Sequence, residues 1–330
     1  MPTLREIAAE TGFSLATVSR ALQPDGKVSD ETRMKVMVAM QKLEEAEYED
    51  DSIRETVGLI FAGSDNHFYD ATIRIIDSKL RDRGYHLLCV ISNDSVSTKS
   101  QMRRLCRLGA RAILLVGPSH TISAEALTEM SHMKIPVIQI FQKVYPGLDS
   151  VTVDDEGGMY SVGRTLLHSG HRRILYVGAR DALHYEGFRR AFAEAGIDLP
   201  EESGLAGNCR NQTDTLRRVV EEMRPTAIVA HTGANTIDVL NVCKLLRKKV
   251  PEEISLCAYD DYPWLAMMDI SAIFHPLEEV AEHVCDLLHL RLTEKTEEGD
   301  FRPIHLVAAP HLSARDSIRY CQTEAKGENV

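Results

Sequence analysis

The stretch from Thr11 to Leu22 carries residue types that suit the binding of an anion. It reads TGFSLATVSRAL, with hydroxyl groups at Ser14, Thr17 and Ser19 and a cation at Arg20. Its apolar residues recur at helical spacing, at Leu15, Val18, Ala21 and Leu22. Hydroxyls and guanidinium groups are common donors to phosphate oxygens. This segment therefore predicts a helix that faces a phosphate-bearing partner.

The elements that must position this helix are predicted within residues 1–46. The pattern there indicates three helices, with a tight turn at Gly12 and N-cap residues at Ser14 and Ser29. The third helix is expected to bury Val36, Met37, Met40 and Leu43. Two helices joined by a short glycine-containing turn form a helix-turn-helix unit. We therefore assign residues 1–46 to a helix-turn-helix domain.

The charge distribution removes an apparent conflict with this assignment. The chain has a formal net charge of -11, which is unusual for a protein that binds a polyanion. Residues 1–42 nevertheless hold six Lys and Arg against five Asp and Glu, whereas residues 43–56 hold seven acids and one arginine. The acidity thus lies outside the head, and residues 47–56 are predicted to form a short acidic linker.

Residues 57–330 are predicted to form an α/β body. Apolar strands alternate with amphipathic helices, which is typical of parallel sheets covered on both faces. The predicted strands are 56–63, 85–92, 110–117, 135–141, 173–179, 226–231 and 254–260. The number of units favours two doubly wound parallel-sheet subdomains. We place the N-subdomain at about 57–154 and 278–303, and the C-subdomain at about 155–277 and 304–320.

Several classes of protein are disfavoured by the same sequence. There is no apolar run of the roughly 18 residues that would span a bilayer, and the N-terminus lacks a signal-peptide layout. We therefore expect a cytoplasmic protein with no membrane partner. The seven cysteines are scattered, which predicts free buried thiols and no metal site. The common motifs of hydrolases, zinc proteases and phosphate-binding loops are absent, so we expect neither an enzyme nor a cofactor.

At full length the chain resembles the LacI/GalR family of bacterial transcription regulators. The head carries TLREIAAETGFSLATVSRAL and VSDETRMKVMVAMQKL, and the body carries SVTVDDEGG, SGHRRILYVG, GFRRAFAEAGI and VPEEISLCAYDD in the family's order and spacing. The resemblance implies a periplasmic-binding-protein-like effector domain behind the head. It also implies a repressor that binds a palindromic operator as a homodimer, whose partners are double-stranded DNA and a small-molecule effector.

The resemblance implies a set of DNA contacts in the head. The second helix would enter the major groove, where Leu15, Ala16 and Arg20 take the base-reading positions. Phosphate contacts would come from Ser14, Thr17, Ser19, Lys27, Ser29 and Thr32, with the backbone near Thr3 and Leu4. The linker departs from the family pattern because the usual proline start and the leucine that wedges into the minor groove are both absent. We therefore do not assign a hinge contact to residues 47–56.

The ligand cleft departs from the family as well. Sugar-responsive members use an arginine where this chain has His184, and an asparagine-aspartate pair where it has Thr232-Gly233. An ordinary hexose is therefore not the expected effector. The candidate effector residues lie after the predicted strands: Asp65, Asn66, Phe68, Tyr69, Ser119, Gln142, Asp154, His184, His231, Asn235, Asp260 and Tyr262.

Two alternatives remain open from the sequence. In the first, the head binds DNA but the body is a dimerisation and protein-docking module without a small-molecule effector. In the second, the head is vestigial and the acidic chain binds no DNA. The polar tail QTEAKGENV, residues 322–330, has no heptad pattern, which favours a dimer over a tetramer.

Overall fold

The computed structural model describes most of the chain, namely residues 3–23, 26–49, 55–62, 67–92, 98–116, 135–141, 145–179, 183–199, 213–293 and 301–321. These residues fall into two compact units. The first contains residues 1–56 with 84–86, and the second contains residues 57–83 with 87–330. Each unit has its own hydrophobic core.

Three helices form the first unit, as the sequence predicted: α1 (Leu4–Thr11), α2 (Leu15–Leu22) and α3 (Asp30–Glu49). The core between them is small and is built from Ile7, Val18, Ala21 and Val36. The turn between α1 and α2 uses Gly12 at a φ of 70°, which a residue with a side chain rarely adopts. The structure differs from two expectations that were drawn from the sequence. Met37 is 48% exposed rather than buried, and α3 continues to Glu49, so the first residues of the predicted linker are helical.

The second unit contains two sheets. The six-stranded sheet has the order β10-β5-β4-β3-β1-β2. Its strands are β1 (Thr56–Ala62), β2 (His86–Ser92), β3 (Ala110–Val116), β4 (Val137–Ile140), β5 (Asp149–Val153) and β10 (His305–Ala308). The five-stranded sheet has the order β11-β9-β8-β7-β6. Its strands are β6 (Ile174–Val177), β7 (Ala227–Ala230), β8 (Ser255–Ala258), β9 (Ser271–Phe274) and β11 (His311–Ser313).

Helices cover both faces of these sheets, as continuous apolar strands require. They are α4 (His67–Asp82), α5 (Thr98–Arg107), α6 (Asp155–His168), α7 (Leu183–Glu194), α8 (Thr213–Met223), α9 (Gly233–Leu245), α10 (Pro263–Met267) and α11 (Leu277–Thr293). In β6, Leu175 and Val177 belong to one core and Ile174 and Tyr176 to another. The mixed α/β fold with mainly parallel sheets is therefore confirmed.

Several elements were not predicted. Strand β5 begins with two polar residues, and β9, β10 and β11 are only three or four residues long. Strand β11 pairs antiparallel with β9, unlike the parallel pairs recorded elsewhere in the sheet. The predicted subdomain division at residues 303/304 is also wrong for β10. That strand pairs parallel with β5 of the six-stranded sheet, so the chain returns to the other sheet only after Ala308.

The cysteines and helices bear on two further expectations. Six cysteines are described and free, but only Cys243, Cys257 and Cys285 are buried, while Cys89 is exposed. Burial raises the pKa of the Cys257 thiol to about 12, which makes it a poor nucleophile near neutral pH. No helix in the described ranges combines the length and the apolar character needed to cross a bilayer.

Candidate nucleic-acid interface and ligand cavity

The exposed face of α2 presents the predicted base-reading residues. Leu15 is 47% exposed, although it lies on the same helix as the fully buried Val18. Ala16 and Arg20 are also exposed. The Arg20 Nε donates to the Ala16 carbonyl at 3.0 Å, which lays the side chain along the helix. Val18 and Ala21 therefore pack in the core and anchor α2, while Leu15, Ala16 and Arg20 lie on its outer face.

Hydroxyl caps begin all three helices of the head. Ser14 Oγ accepts from the Thr17 backbone at 3.2 Å, and Ser29 Oγ accepts from the Thr32 backbone at 3.2 Å. Thr3 forms a capping box with Glu6, whose carboxylate accepts from the Thr3 backbone at 2.6 Å. The caps predicted at Ser14 and Ser29 are therefore present. Helix N-termini of this kind carry partial positive charge and free N–H groups, which suit phosphate.

Arg33, which the sequence reasoning missed, forms hydrogen bonds at the C-terminal end of α2. Its guanidinium donates to the carbonyls of Ala21 at 2.6 Å, Gln23 at 2.9 Å and Gly26 at 2.7 Å. The last carbonyls of a helix have no partner within the helix. Arg33 from α3 donates hydrogen bonds to carbonyls at this end of α2, and these bonds hold the end of α2 against α3. Among the predicted phosphate-contacting residues, Lys27 is exposed, and Ser19 and Thr32 are partly exposed.

A cavity of about 280 Å³ lies in the body at the carboxyl ends of the strands. In open α/β sheets this edge is where ligands bind. Its walls are mainly aromatic rings, imidazoles and carboxylates. The lining residues are Phe68, Tyr69, Phe141, Val153, Asp155, His184, His231, Thr232, Tyr259, Asp260 and His275. Phe141 adopts a φ of 63°, a strained conformation for a bulky side chain that is typical of functional sites.

The polar groups of the cavity are linked to one another. The Tyr259 hydroxyl donates to Asp155, and His184 Nε2 lies 3.7 Å from the Asp155 carboxylate. The rings of His184 and His231 lie 4.4 Å apart between centroids, and Tyr259 stands edge-on to His184 at the same distance. On the other side, His275 Nε2 lies 3.5 Å from the Asp260 carboxylate. The cavity thus contains two carboxylates, each beside an imidazole.

Burial dominates the protonation of these groups. Desolvation lowers the pKa of His184 from its usual 6.5 to about 4, so this imidazole is neutral at pH 7. Burial raises the pKa of Asp155, and the hydrogen bond from Tyr259 acts in the opposite direction. Burial and the two carboxylates also raise the pKa of Tyr259 well above 10, so its hydroxyl remains a donor. His184 therefore supplies no positive charge near neutral pH.

The structure brings together some of the predicted effector residues and not others. Phe68, Tyr69, His184, His231 and Asp260 line the cavity. Asp65, Asn66, Ser119 and Gln142 lie outside the described residues. The remaining three have other contacts, described next.

Asp154 does not line the cavity, because its carboxylate caps α6 by accepting from the Gly157 backbone at 2.9 Å. Asn235 is buried in the first turn of α9, where Thr232 caps the helix. Tyr262 donates to Asp260 at 3.1 Å and lines a neighbouring cavity of about 480 Å³. Tyr262 is therefore connected to the first cavity by its hydrogen bond to Asp260.

The sequence reasoning missed six lining residues: Phe141, Val153, Asp155, Thr232, Tyr259 and His275. Asp155 stands next to the predicted Asp154, and Tyr259 next to the predicted Asp260. A search over both residues of each pair would have found them. His275 follows β9, which the sequence did not separate as a strand.

Comparison with known proteins identifies both units. Residues 3–44 match the family model described as bacterial regulatory proteins, lacI family, and residues 164–318 match a periplasmic binding protein-like domain. The ribose operon repressor of Escherichia coli (strain K12) is 26% identical over 319 residues, covering 90% of this chain and 94% of that protein. The HTH-type transcriptional repressor PurR of Vibrio vulnificus (strain CMCP6) is 26% identical over 347 residues, covering 97% and 99%.

Solved structures share the fold. The lac repressor dimer bound to operator and the anti-inducer ONPF superposes with a TM-score of 0.68 at 17% identity, covering 96% of this chain and 99% of that one. A LacI family transcriptional regulator from Enterococcus faecium with bound ribose has a TM-score of 0.68 at 19% identity, covering 81% and 100%. At this level of identity the likeness concerns the fold.

Proposed function

This chain belongs to the lacI family of bacterial regulatory proteins and is a DNA-binding transcriptional repressor of that family, and from this premise we propose how it acts. It binds a palindromic operator in the cytoplasm as a homodimer. A small molecule that enters the cavity of the body controls its affinity for the operator. The proposed ligand is not an ordinary hexose, because the family resemblance puts His184 and Thr232 where sugar-responsive members have an arginine and an asparagine.

The observation that carries the proposal is the outer face of α2. Leu15, Ala16 and Arg20 are exposed there, and the N-terminus of the helix is capped by Ser14. An arginine can contact the O6 and N7 atoms of guanine, while Leu15 and Ala16 can contact a thymine methyl group. Ser14, Thr17, Ser19, Lys27, Ser29 and Thr32, with the backbone at Thr3 and Leu4, are assigned to phosphates. In this assignment, the two apolar side chains and Arg20 contact the base edges, and the hydroxyl groups contact the DNA phosphates.

The effector assignment rests on the second unit. Its cavity lies where ligands bind in open α/β folds and is lined by groups that can stack and hydrogen-bond. A ligand that favours one arrangement of the body would change operator affinity by a coupling free energy of about 1–3 kcal/mol. For the same reason, operator DNA would change the affinity for the ligand by the same factor.

Selection of operators from a random DNA pool tests the proposal directly. We expect purified full-length protein to enrich a two-fold symmetric sequence with half-sites about one helical turn apart. The affinity for that sequence should fall steeply as salt rises, because phosphate contacts release counterions. Enrichment of an asymmetric sequence would contradict the dimer, and enrichment of none would contradict autonomous operator binding.

Arg20→Ala tests the base-reading role. We expect it to weaken binding to the selected operator by about 1–3 kcal/mol and to leave binding to random DNA nearly unchanged. Arg217→Ala is the matched control, since it removes one exposed arginine from a helix of the body. Filter binding at fixed salt measures both. If Arg20→Ala bound the operator as tightly as the control variant, Arg20 would not be part of the DNA interface.

A further inference from the structure

The described walls of the cavity contain two carboxylates and no lysine or arginine. Asp155 and Asp260 both line it, and Asp260 is 7% exposed. His184 Nε2 lies 3.7 Å from the Asp155 carboxylate, and this imidazole is neutral at pH 7 because burial lowers its pKa to about 4. Buried carboxylates are stabilised when a cation or several donors pair with them. Within the described residues, the cavity therefore has no permanently charged side chain to pair with its two carboxylates.

Buried ring nitrogens give a second and independent indication of a ligand. His275 lines the cavity with a side chain that is only 5% exposed; its Nδ1 has no hydrogen-bond partner in the described chain, and its Nε2 lies 3.5 Å from the Asp260 carboxylate without forming a hydrogen bond. His184 Nδ1 is likewise buried without a partner. Polar atoms that remain unpaired when buried are costly, and they are uncommon in native proteins. His184 is neutral at pH 7, and a neutral imidazole has one acceptor nitrogen, so this ring adds an acceptor beside the carboxylates.

Aromatic rings form the rest of the wall. Phe68 lies 4.9 Å from Phe141 and 5.0 Å from His275, between ring centroids. Tyr69 lies 5.5 Å from Phe68, and Tyr259 lies 4.9 Å from His275. Ring faces attract cations through the quadrupole of the π system and stack on flat apolar groups. Rings and carboxylates in one small cavity therefore favour the same kind of ligand.

We infer that the effector is a cation, a protonated amine or amidine, attached to a flat apolar group. The cationic head lies between Asp155 and Asp260 and donates to their oxygens and to imidazole nitrogens. The flat group lies against Phe68, Phe141 and Tyr69. This inference rests on the proposed function, in which the cavity holds the effector.

Three probes of nearly the same shape isolate the contribution of charge. Benzamidine is a cation at pH 7.5, benzamide is neutral and benzoate is an anion. Titration of the full-length protein with each, in the absence of DNA, should show benzamidine binding roughly ten- to hundredfold more tightly than benzamide, since hydrogen bonds to charged groups are the stronger ones. Benzoate should bind most weakly. Ribose serves as a polyol without charge and should also bind more weakly than benzamidine.

Two variants locate the binding. Asp155→Asn keeps an acceptor for Tyr259, and Asp260→Asn keeps one for Tyr262, so the folded structure is expected to survive. Each should reduce the preference for benzamidine over benzamide by roughly tenfold. Asp154→Asn is the matched control. It changes a neighbouring carboxylate that caps α6 outside the cavity, and asparagine is an equally good cap.

Each outcome decides the inference. A benzamidine preference that both cavity variants reduce and Asp154→Asn preserves supports it. Tighter binding of benzoate, benzamide or ribose overturns it, as does a preference that neither cavity variant changes. Absence of binding by every probe overturns it as well and favours a body without a small-molecule effector. Since the titration contains no DNA, a failure of operator selection would contradict the proposed function without affecting this result.

Discussion

At the residue scale, Arg33 connects α3 to the C-terminal end of α2 in the head. It is partly buried and donates to three carbonyls at and beyond the end of α2. We expect Arg33→Ala to leave those carbonyls without their donor and to destabilise the head by about 1–3 kcal/mol. Amide hydrogen exchange of residues 15–22 in the full-length protein measures this, because local opening of α2 becomes more frequent.

Two substitutions of neighbouring cations sharpen this test. Arg33→Lys keeps the charge but loses the planar fork, so it should recover only part of the protection. Lys35→Ala is the control, because the pair of Lys35 with Glu31 on its own helix is exposed. If Arg33→Ala exchanged no faster than Lys35→Ala, the three hydrogen bonds would contribute nothing to the position of α2.

Single residues were predictable where the signal is local. A hydroxyl one residue before an amphipathic run predicts an N-cap, and Ser14 and Ser29 occupy that position. The choice between Asp154 and Asp155 depends on which carboxylate turns back to cap α6 and which turns toward the cavity. Neighbouring carboxylates carry the same sequence signal, so only the backbone geometry separates them.

At the scale of elements, one buried ion pair joins α11, β5 and the chain before β10. Arg291 forms a bidentate pair with Asp149 at 2.8 and 2.9 Å, and Asp149 also accepts from the Ile304 backbone at 2.7 Å. The two side chains are 7% and 1% exposed. We expect Arg291→Ala to destabilise the body by about 3–5 kcal/mol, because a buried carboxylate is left without its cation. Urea unfolding followed by circular dichroism measures the change.

The exposed pair of Arg81 with Asp77 provides the comparison. These residues lie four apart on α4, with side chains 65% and 37% exposed. Arg81→Ala should change stability by no more than about 0.5 kcal/mol. A similar small change for Arg291→Ala would show that solvent reaches Asp149 and that the pair does not hold the three elements together.

Elements were predictable where the apolar pattern is long. Strand β6 is a continuous apolar run, and β3 is one from Ala112 to Val116, which is the pattern that a buried parallel strand requires. Strand β5 escaped prediction because it contains Asp149 and Ser150, whose polar groups are paired with Arg291 and His305. Long-range partners make these polar residues compatible with a buried strand, and such partners leave no local signal in the sequence.

At the scale of the whole molecule, the cavity couples stability to pH. Burial lowers the pKa of His184 from 6.5 to about 4, so the unfolded chain binds a proton in this range more readily than the folded one. Stability from this group is complete above pH 6.5 and is lost as pH falls toward 4, by about 3 kcal/mol at most. The raised pKa of Asp155 acts in the opposite sense, since its protonation favours the folded state.

A comparison of variants separates the two contributions. His184→Phe keeps a flat ring among its aromatic neighbours but cannot titrate. We expect its free energy of unfolding, measured by urea between pH 7.5 and 4.5, to fall less steeply with decreasing pH than that of the wild type. His86→Gln, which removes an exposed histidine, should leave the slope unchanged. Parallel slopes for His184→Phe and the wild type would mean that the folded and unfolded chains protonate His184 equally, so that burial does not lower its pKa. His184 would then become positively charged beside Asp155 as pH falls below about 6.5, and the electrostatic argument for a cationic ligand would hold only above that pH.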